Sequence, residues 1–222
     1  NLESNVPNTV DTVFDVGSVS KQFTAACVML LQDEGKLKIE DRAYDYLPEF
    51  PVLLEHKITV HQLLDHTSGL RDYLSLIAFK TGKVAFDDDE VVEALKGQST
   101  LNFAPGTSWS YSNSGYFLLK KLVEKLGGKS LAAFAKERLF GPLGMDSTRF
   151  LDDATKLIPA RAFGYVDPGD GEGYRAGITT IAADGAGGVW TTLADMHKWT
   201  QNWKGNKLGS DPEMFKKMQS VS

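Results

Sequence analysis

The sequence predicts a helix-dominated α/β chain, and three observations carry that prediction. Helical segments with recognisable start and stop signals recur along most of its length. Strand signals are few and short. No internal repeat, linker or low-complexity block divides the 222 residues.

The first helix is read from Lys21 to Glu34, a nearly all-apolar stretch closed by Gly35 and therefore expected to lie at the centre of the fold. Thr59-Val60-His61-Gln62 has capping-box spacing and opens a short helix ending near His66, with Gly69 just beyond. Asp87 to Leu95 forms another, its three aspartates placed at the end of the helix dipole that favours them. After the Pro105-Gly106 turn, Ser114 to Leu126 carries helical apolar spacing and stops at Gly127-Gly128. Ser130 caps a helix that runs through Phe140 and ends at Gly141-Pro142. Thr192 starts the last clear helix, which reaches about Trp203. Strands are expected at Thr12 to Val16, Thr148 to Leu151, Ala162 to Val166 and Arg175 to Ile181, with Asp167 to Gly173 an exposed loop.

Composition narrows the class of function. A chain that is 42% hydrophobic and 24% charged, with a net charge of -5, reads as an ordinary globular protein whose mild acidity disfavours nucleic acid or anionic membrane as the main partner. A small-molecule or peptide substrate fits better. Cys27 is the only cysteine and falls in an apolar helical run, so it reads as a buried structural thiol and no internal disulfide is possible. That run is too short and too soon interrupted to span a membrane, and Asn1 to Asn5 lacks the features of a signal peptide. His56, His61, His66 and His197 never take metalloprotease spacing, so no metal and no cofactor are expected. There is no G-x-S-x-G elbow, and the glycines of 169–173 lack the strand and helix that a nucleotide loop requires.

One segment does carry chemistry. In Gly17-Ser18-Val19-Ser20-Lys21, Ser18 and Lys21 lie one helical turn apart where the first helix begins, and residues so spaced share a face. A serine hydroxyl needs a neighbouring base to act as a nucleophile, and the positive end of a helix makes a lysine there easier to deprotonate. The unpaired N–H groups of the same turn, that of Ser18 included, can face an oxygen that becomes negative during attack on a carbonyl. The pattern alone fits a second arrangement equally well, in which Ser18 or Ser20 caps the helix and Lys21 is solvated. A second segment, Ser108-Trp109-Ser110-Tyr111-Ser112-Asn113, sets a phenol, hydroxyls and an amide in a turn before a helix. Tyr111 can relay a proton there and Asn113 can bind an amide carbonyl; alone, the segment fits a capped loop as well.

Together these segments resemble the serine β-lactamase and penicillin-binding-protein-like hydrolases, in the branch of class C β-lactamases, D-alanyl-D-alanine carboxypeptidases, D-aminopeptidases and related esterases. Ser18-Val19-Ser20-Lys21 is similar to that family's nucleophile motif, and Tyr111-Ser112-Asn113 to its Tyr-x-Asn motif, in the expected order. Leu63 to Leu70, Gly141 to Met145 and Ala186 to Val189 are similar to framework segments, so the resemblance covers nearly the whole chain. It implies a β-lactamase/transpeptidase-like fold, with Ser18 as acylated nucleophile, Lys21 and Tyr111 as the proton-shuttling pair, and Asn113 as a substrate-positioning amide. His66, Gly187 and Gly188 are then structural. Lys21 would act as base through a depressed pKa, Tyr111 through a phenolate held by a cation, and the two are expected to titrate as a unit.

The resemblance also implies a third motif, Lys/His-Thr/Ser/x-Gly, on a strand after Tyr-x-Asn, and no segment with strand signals after Tyr111 carries it. Lys80-Thr81-Gly82 spells it before Tyr111, where a coincidence, with Gly82 ending a short helix, is the simpler explanation. The expectation is therefore one β-lactamase-like domain over residues 1–222, incomplete at both ends, lacking most of the central antiparallel sheet and impaired as a catalyst on its own. A binding module that acylates without turnover and a non-catalytic scaffold stand as alternatives. The resemblance tilts location toward a bacterial periplasm or exterior; oligomeric state is not legible.

Overall fold

The computed structural model describes residues 1–81, 87–153, 155–177 and 185–219. Strand β1 (Phe14–Asp15) leads through a single turn of 3-10 helix (Gly17–Ser20) into α1 (Lys21–Asp33). Short helices α2 (Ala43–Tyr46), α3 (Pro51–Glu55) and α4 (Val60–Leu64) follow, then α5 (Tyr73–Thr81) and α6 (Asp88–Lys96). A long loop ends at α7 (Asn113–Gly127), which is followed by α8 (Leu131–Ala135) and a π turn (Lys136–Phe140). The remaining elements are β2 (Arg149–Phe150), β3 (Tyr165–Val166), β4 (Arg175–Ala176), β5 (Val189–Thr191), α9 (Leu193–Asn202) and α10 (Met214–Gln219).

Helix α1 occupies the centre because its run from Phe23 to Leu31 is apolar but for Thr24 and is buried throughout, on every side of the helix. It ends as Gly35 predicts, with that residue at φ +69°, its N–H on Gln32 O and the Lys36 N–H on Leu31 O. Cys27 is fully buried, and burial pushes its thiol well above the ordinary range. Helix α7 packs along α1 and is itself buried from Ser114 to Val123 except at Lys121. The capping box at Thr59 and Gln62 forms, as does a second at Asp87 and Glu90, and Thr192 caps α9 through the Asp195 N–H.

The expected strands shrink to two or three residues. β5 is the centre of an antiparallel sheet with β1 and β2 on either side, pairing Phe14 with Thr191 and Phe150 with Val189. β3 and β4 form a separate hairpin. The strand expected through Ile181 ends at Ala176, before Gly177, and residues 178–184 lie outside the described set. Lys80-Thr81-Gly82 falls at the end of α5 and runs into residues 82–86, which also lie outside it. Among the described residues no helix is long and apolar enough to cross a membrane.

Gly69 fixes the turn that carries the chain from α4 toward the site. It sits at φ +74°, its carbonyl accepts the Asn102 N–H at 2.8 Å, and a Cβ built there would stand 2.2 Å from Phe103 O. Gly69→Ala combines a disfavoured left-handed conformation with a clash against backbone, so a loss of roughly 2–4 kcal/mol is expected. Urea unfolding with an unchanged midpoint would contradict this.

Candidate active site

The positions of Ser18 and Lys21 follow from the junction between β1 and α1. Gly17 takes φ +50°, its N–H donating to Asp15 Oδ1 at 2.9 Å, and the Val16 N–H bonds Val189 O at 3.0 Å, so the turn is tied to the central strand. Ser18 is exposed on this turn, whereas Lys21 is 6% exposed. Ser20 is not a helix cap: its hydroxyl accepts the Val189 N–H at 2.9 Å and holds the turn against β5. Nor is Lys21 solvated, so the capping arrangement that the sequence alone allowed is not the one adopted.

Lys21 Nζ has three acceptors: Ala186 O at 2.6 Å, Asn113 Oδ1 at 2.8 Å and Ser18 Oγ at 3.4 Å. Burial lowers its pKa, while neighbouring Tyr111 and the Asp72 carboxylate act in the opposite direction. An ammonium would donate to all three oxygens. A neutral amine donates to the two nearer ones and has its lone pair left for Ser18, the longest contact. Tyr111 approaches from the other side, its hydroxyl donating to Ser18 Oγ at 2.6 Å, and the Lys21 ammonium position lies 4.6 Å from the centre of the Tyr111 ring. Ser18, Lys21, Tyr111 and Asn113, proposed from segments 92 residues apart, thus meet at one point.

Two supports hold the second segment in place. His66, at φ +65°, accepts the Ser112 N–H on Nδ1 at 3.2 Å, and its carbonyl accepts the Ser110 N–H at 3.1 Å. Its ring lies 4.7 Å from that of Tyr111 and 5.2 Å from that of Tyr116, backing the phenol. Burial, then the proximity of Lys21, lowers the His66 pKa, which favours the neutral ring that an accepting Nδ1 requires. Gly188 is at φ +82° and its carbonyl accepts the Leu151 N–H, so Ala186 to Val189 forms a turn beside the site that delivers Ala186 O to Lys21.

The second support is Asp72, a residue that reading the sequence did not single out. Its Oδ2 accepts both the Asn113 N–H at 2.7 Å and the Asn113 side-chain amide at 2.8 Å, while Oδ1 accepts the Leu74 N–H at the start of α5. The amide is thereby oriented with Oδ1 toward Lys21. An aspartate two residues before a helical apolar run was the available signal, but its partner lies 41 residues away. Asp72→Ala is expected to slow acylation at Ser18 by roughly 10–100-fold, the scale for a group that orients a reacting residue. A rate constant for labelling unchanged from the parent would contradict that role. Among the described residues no group of three or more His, Cys, Asp or Glu is placed to hold a metal ion.

Comparison with known proteins gives this arrangement its context. The fold is β-lactamase/transpeptidase-like: a penicillin-binding protein from Bacillus halodurans superposes with a TM-score of 0.86 at 26% identity, covering 99% of this chain and 67% of that one. An octameric penicillin-binding protein homologue from Pyrococcus abyssi does so with a TM-score of 0.83 at 27% identity, covering 99% and 51%. The model of the Beta-lactamase family matches residues 1–221, and the chain belongs to that family. Penicillin-binding protein 4* of Bacillus subtilis is 38% identical over 167 residues, 72% of this chain and 36% of that protein. A D-aminopeptidase of Gluconobacter oxydans is 30% identical over 201 residues, 90% of this chain and 37% of that protein. The chain therefore spans little more than a third of the length of these relatives.

Proposed function

We propose that the protein carrying this chain is a serine hydrolase that forms an acyl-enzyme at Ser18 from an amide, lactam or ester carbonyl. The observation that supports this most is the double contact on one exposed hydroxyl, with Lys21 Nζ on one side of Ser18 Oγ and the Tyr111 hydroxyl on the other. In the first step the Ser18 proton passes to the Lys21 amine as Oγ bonds to the carbonyl carbon. The Ser18 N–H, in the first turn of the helix and without a partner among the described residues, is placed to donate to the oxygen that becomes negative. The carbon–nitrogen or carbon–oxygen bond then breaks as the Tyr111 phenol gives its proton to the leaving group, and the proton that Lys21 took from Ser18 restores the phenol. Water cleaves the acyl ester by the same steps in reverse. Tyr111 as the first base is the other assignment this geometry supports, and either way the pair works through one shared proton. Asn113, held by Asp72, presents its amide beside the reacting carbonyl.

The substrates proposed are β-lactams and peptides with D-residues, in keeping with relatives named as a penicillin-binding protein and as a D-aminopeptidase, and simple esters, which the same attack on a carbonyl would open. Those same names keep a second reading in view, acylation by a β-lactam without turnover. Intact mass followed over time after addition of a β-lactam or an ester separates them. A hydrolase gives an adduct that forms and decays, a binding module one that persists, and a scaffold none.

A further inference from the structure

We infer that Arg71 receives a carboxylate carried by the substrate beyond its reacting carbonyl, which makes acidic acyl groups the preferred class. The inference rests on the Ser18 reading above and extends it. A cavity of about 620 Å³ opens beside the catalytic phenol, lined by Arg71, Asp72, Ser75, Asn102, Ser110 and Tyr111. Because the Tyr111 hydroxyl touches Ser18 Oγ, a substrate seated on Ser18 has this cavity as a continuation of its site.

Arg71 is the cation of that cavity and is held there by its backbone. Its N–H donates to Gln98 Oε1 at 3.1 Å, and its carbonyl accepts from Gln98 Nε2 at 3.1 Å and from Ser114 Oγ at 2.6 Å. The side chain, by contrast, has no ion pair or hydrogen bond among the described residues. The adjacent carboxylate does not pair with it, since Asp72 uses one oxygen for Leu74 and the other for Asn113. Glu90 and Glu93 line the neighbouring cavity on its other side, about 520 Å³ in volume, and neither forms an ion pair with it. A guanidinium carries a planar fork of donors that matches a carboxylate in two parallel hydrogen bonds. Ser75, Ser110 and Asn102 add neutral polar groups to the same walls, so an anion entering here meets the Arg71 cation, with the one carboxylate of the lining, Asp72, engaged by the Leu74 and Asn113 donors.

The test uses p-nitrophenyl monoesters of adipic and suberic acid, each beside its methyl-capped counterpart, and reads the ratio of kcat/KM for free acid over capped ester. In the parent protein that ratio is expected to exceed 1 by roughly tenfold for the chain length that reaches Arg71, the scale of a hydrogen bond between charged groups. Arg71→Gln brings it near 1 and Arg71→Glu reverses the preference, whereas Arg71→Lys retains part of it. A ratio that is the same in all four proteins overturns the Arg71 inference while leaving Ser18 acylation intact. Failure of every ester to acylate Ser18 in the parent overturns the hydrolase reading and this inference with it.

Discussion

Ser18→Ala is expected to lower ester and amide hydrolysis by the protein that carries this chain by roughly 10⁴–10⁶-fold, the range seen when a serine nucleophile is removed. Neither neighbouring serine is placed to take over. Ser20 is fully buried with its oxygen on the Val189 N–H, and Ser112 is buried beneath the segment that bears Tyr111. Folding is not expected to suffer, because Ser18 is exposed and its side-chain hydrogen bonds among the described residues are those with Lys21 and Tyr111. Thermal unfolding close to that of the parent, together with loss of the burst of p-nitrophenol, is the expected pair of results. Retention of activity within tenfold would show that the nucleophile lies elsewhere.

Lys21→Met is expected to cost roughly 10³–10⁴-fold in acylation rate, which removal of a general base accounts for. Methionine fills much of the space but leaves Asn113 Oδ1 and Ala186 O without their donor, so a stability loss of about 1–3 kcal/mol accompanies it. The pH dependence carries more information than the size of the loss. Burial lowers the Lys21 pKa, so the reactive neutral amine forms below the ordinary lysine value of about 10.4, and acylation falls as pH drops through the lowered value. Stability follows the same sign. Between the lowered value and the ordinary one the unfolded chain binds more protons at this residue than the folded chain does. The Lys21 contribution to stability therefore rises with pH across that window, and it is absent in Lys21→Met. An acylation profile whose fall toward low pH is unchanged by the substitution would take Lys21 out of the base's role.

How much of this was legible in the sequence depended on whether the signal was local. Helices α1, α4, α6 and α9 declare themselves through caps and glycines that act within four or five residues, and the structure has them within a residue or two of the expected ends. The short helices α2 and α3 show no periodicity because one turn has none, although Pro51 at the first position of α3 was a usable mark. β5 escaped notice as a strand for a different reason. Its three residues are buried without alternation between two strands, so the period of two by which strands are read is missing. The site divides in the same way. Ser18 and Lys21 are three apart on one turn, and Tyr111 and Asn113 flank a helix start, so each pair is readable where it stands. Asp72 has only the mark of a nearby helix start, and its role, like that proposed for Arg71, depends on contacts with α7 more than 40 residues away.

The central claim is that Ser18 is the atom acylated, and the most direct measurement is mass spectrometry of peptides from the protein after brief exposure to a fluorophosphonate. The account predicts the added mass on the peptide containing Ser18, its absence in Ser18→Ala and its slower appearance in Lys21→Met. An unmodified Ser18 peptide under conditions in which the protein turns over an ester, or equal labelling of Ser18→Ala, would contradict it.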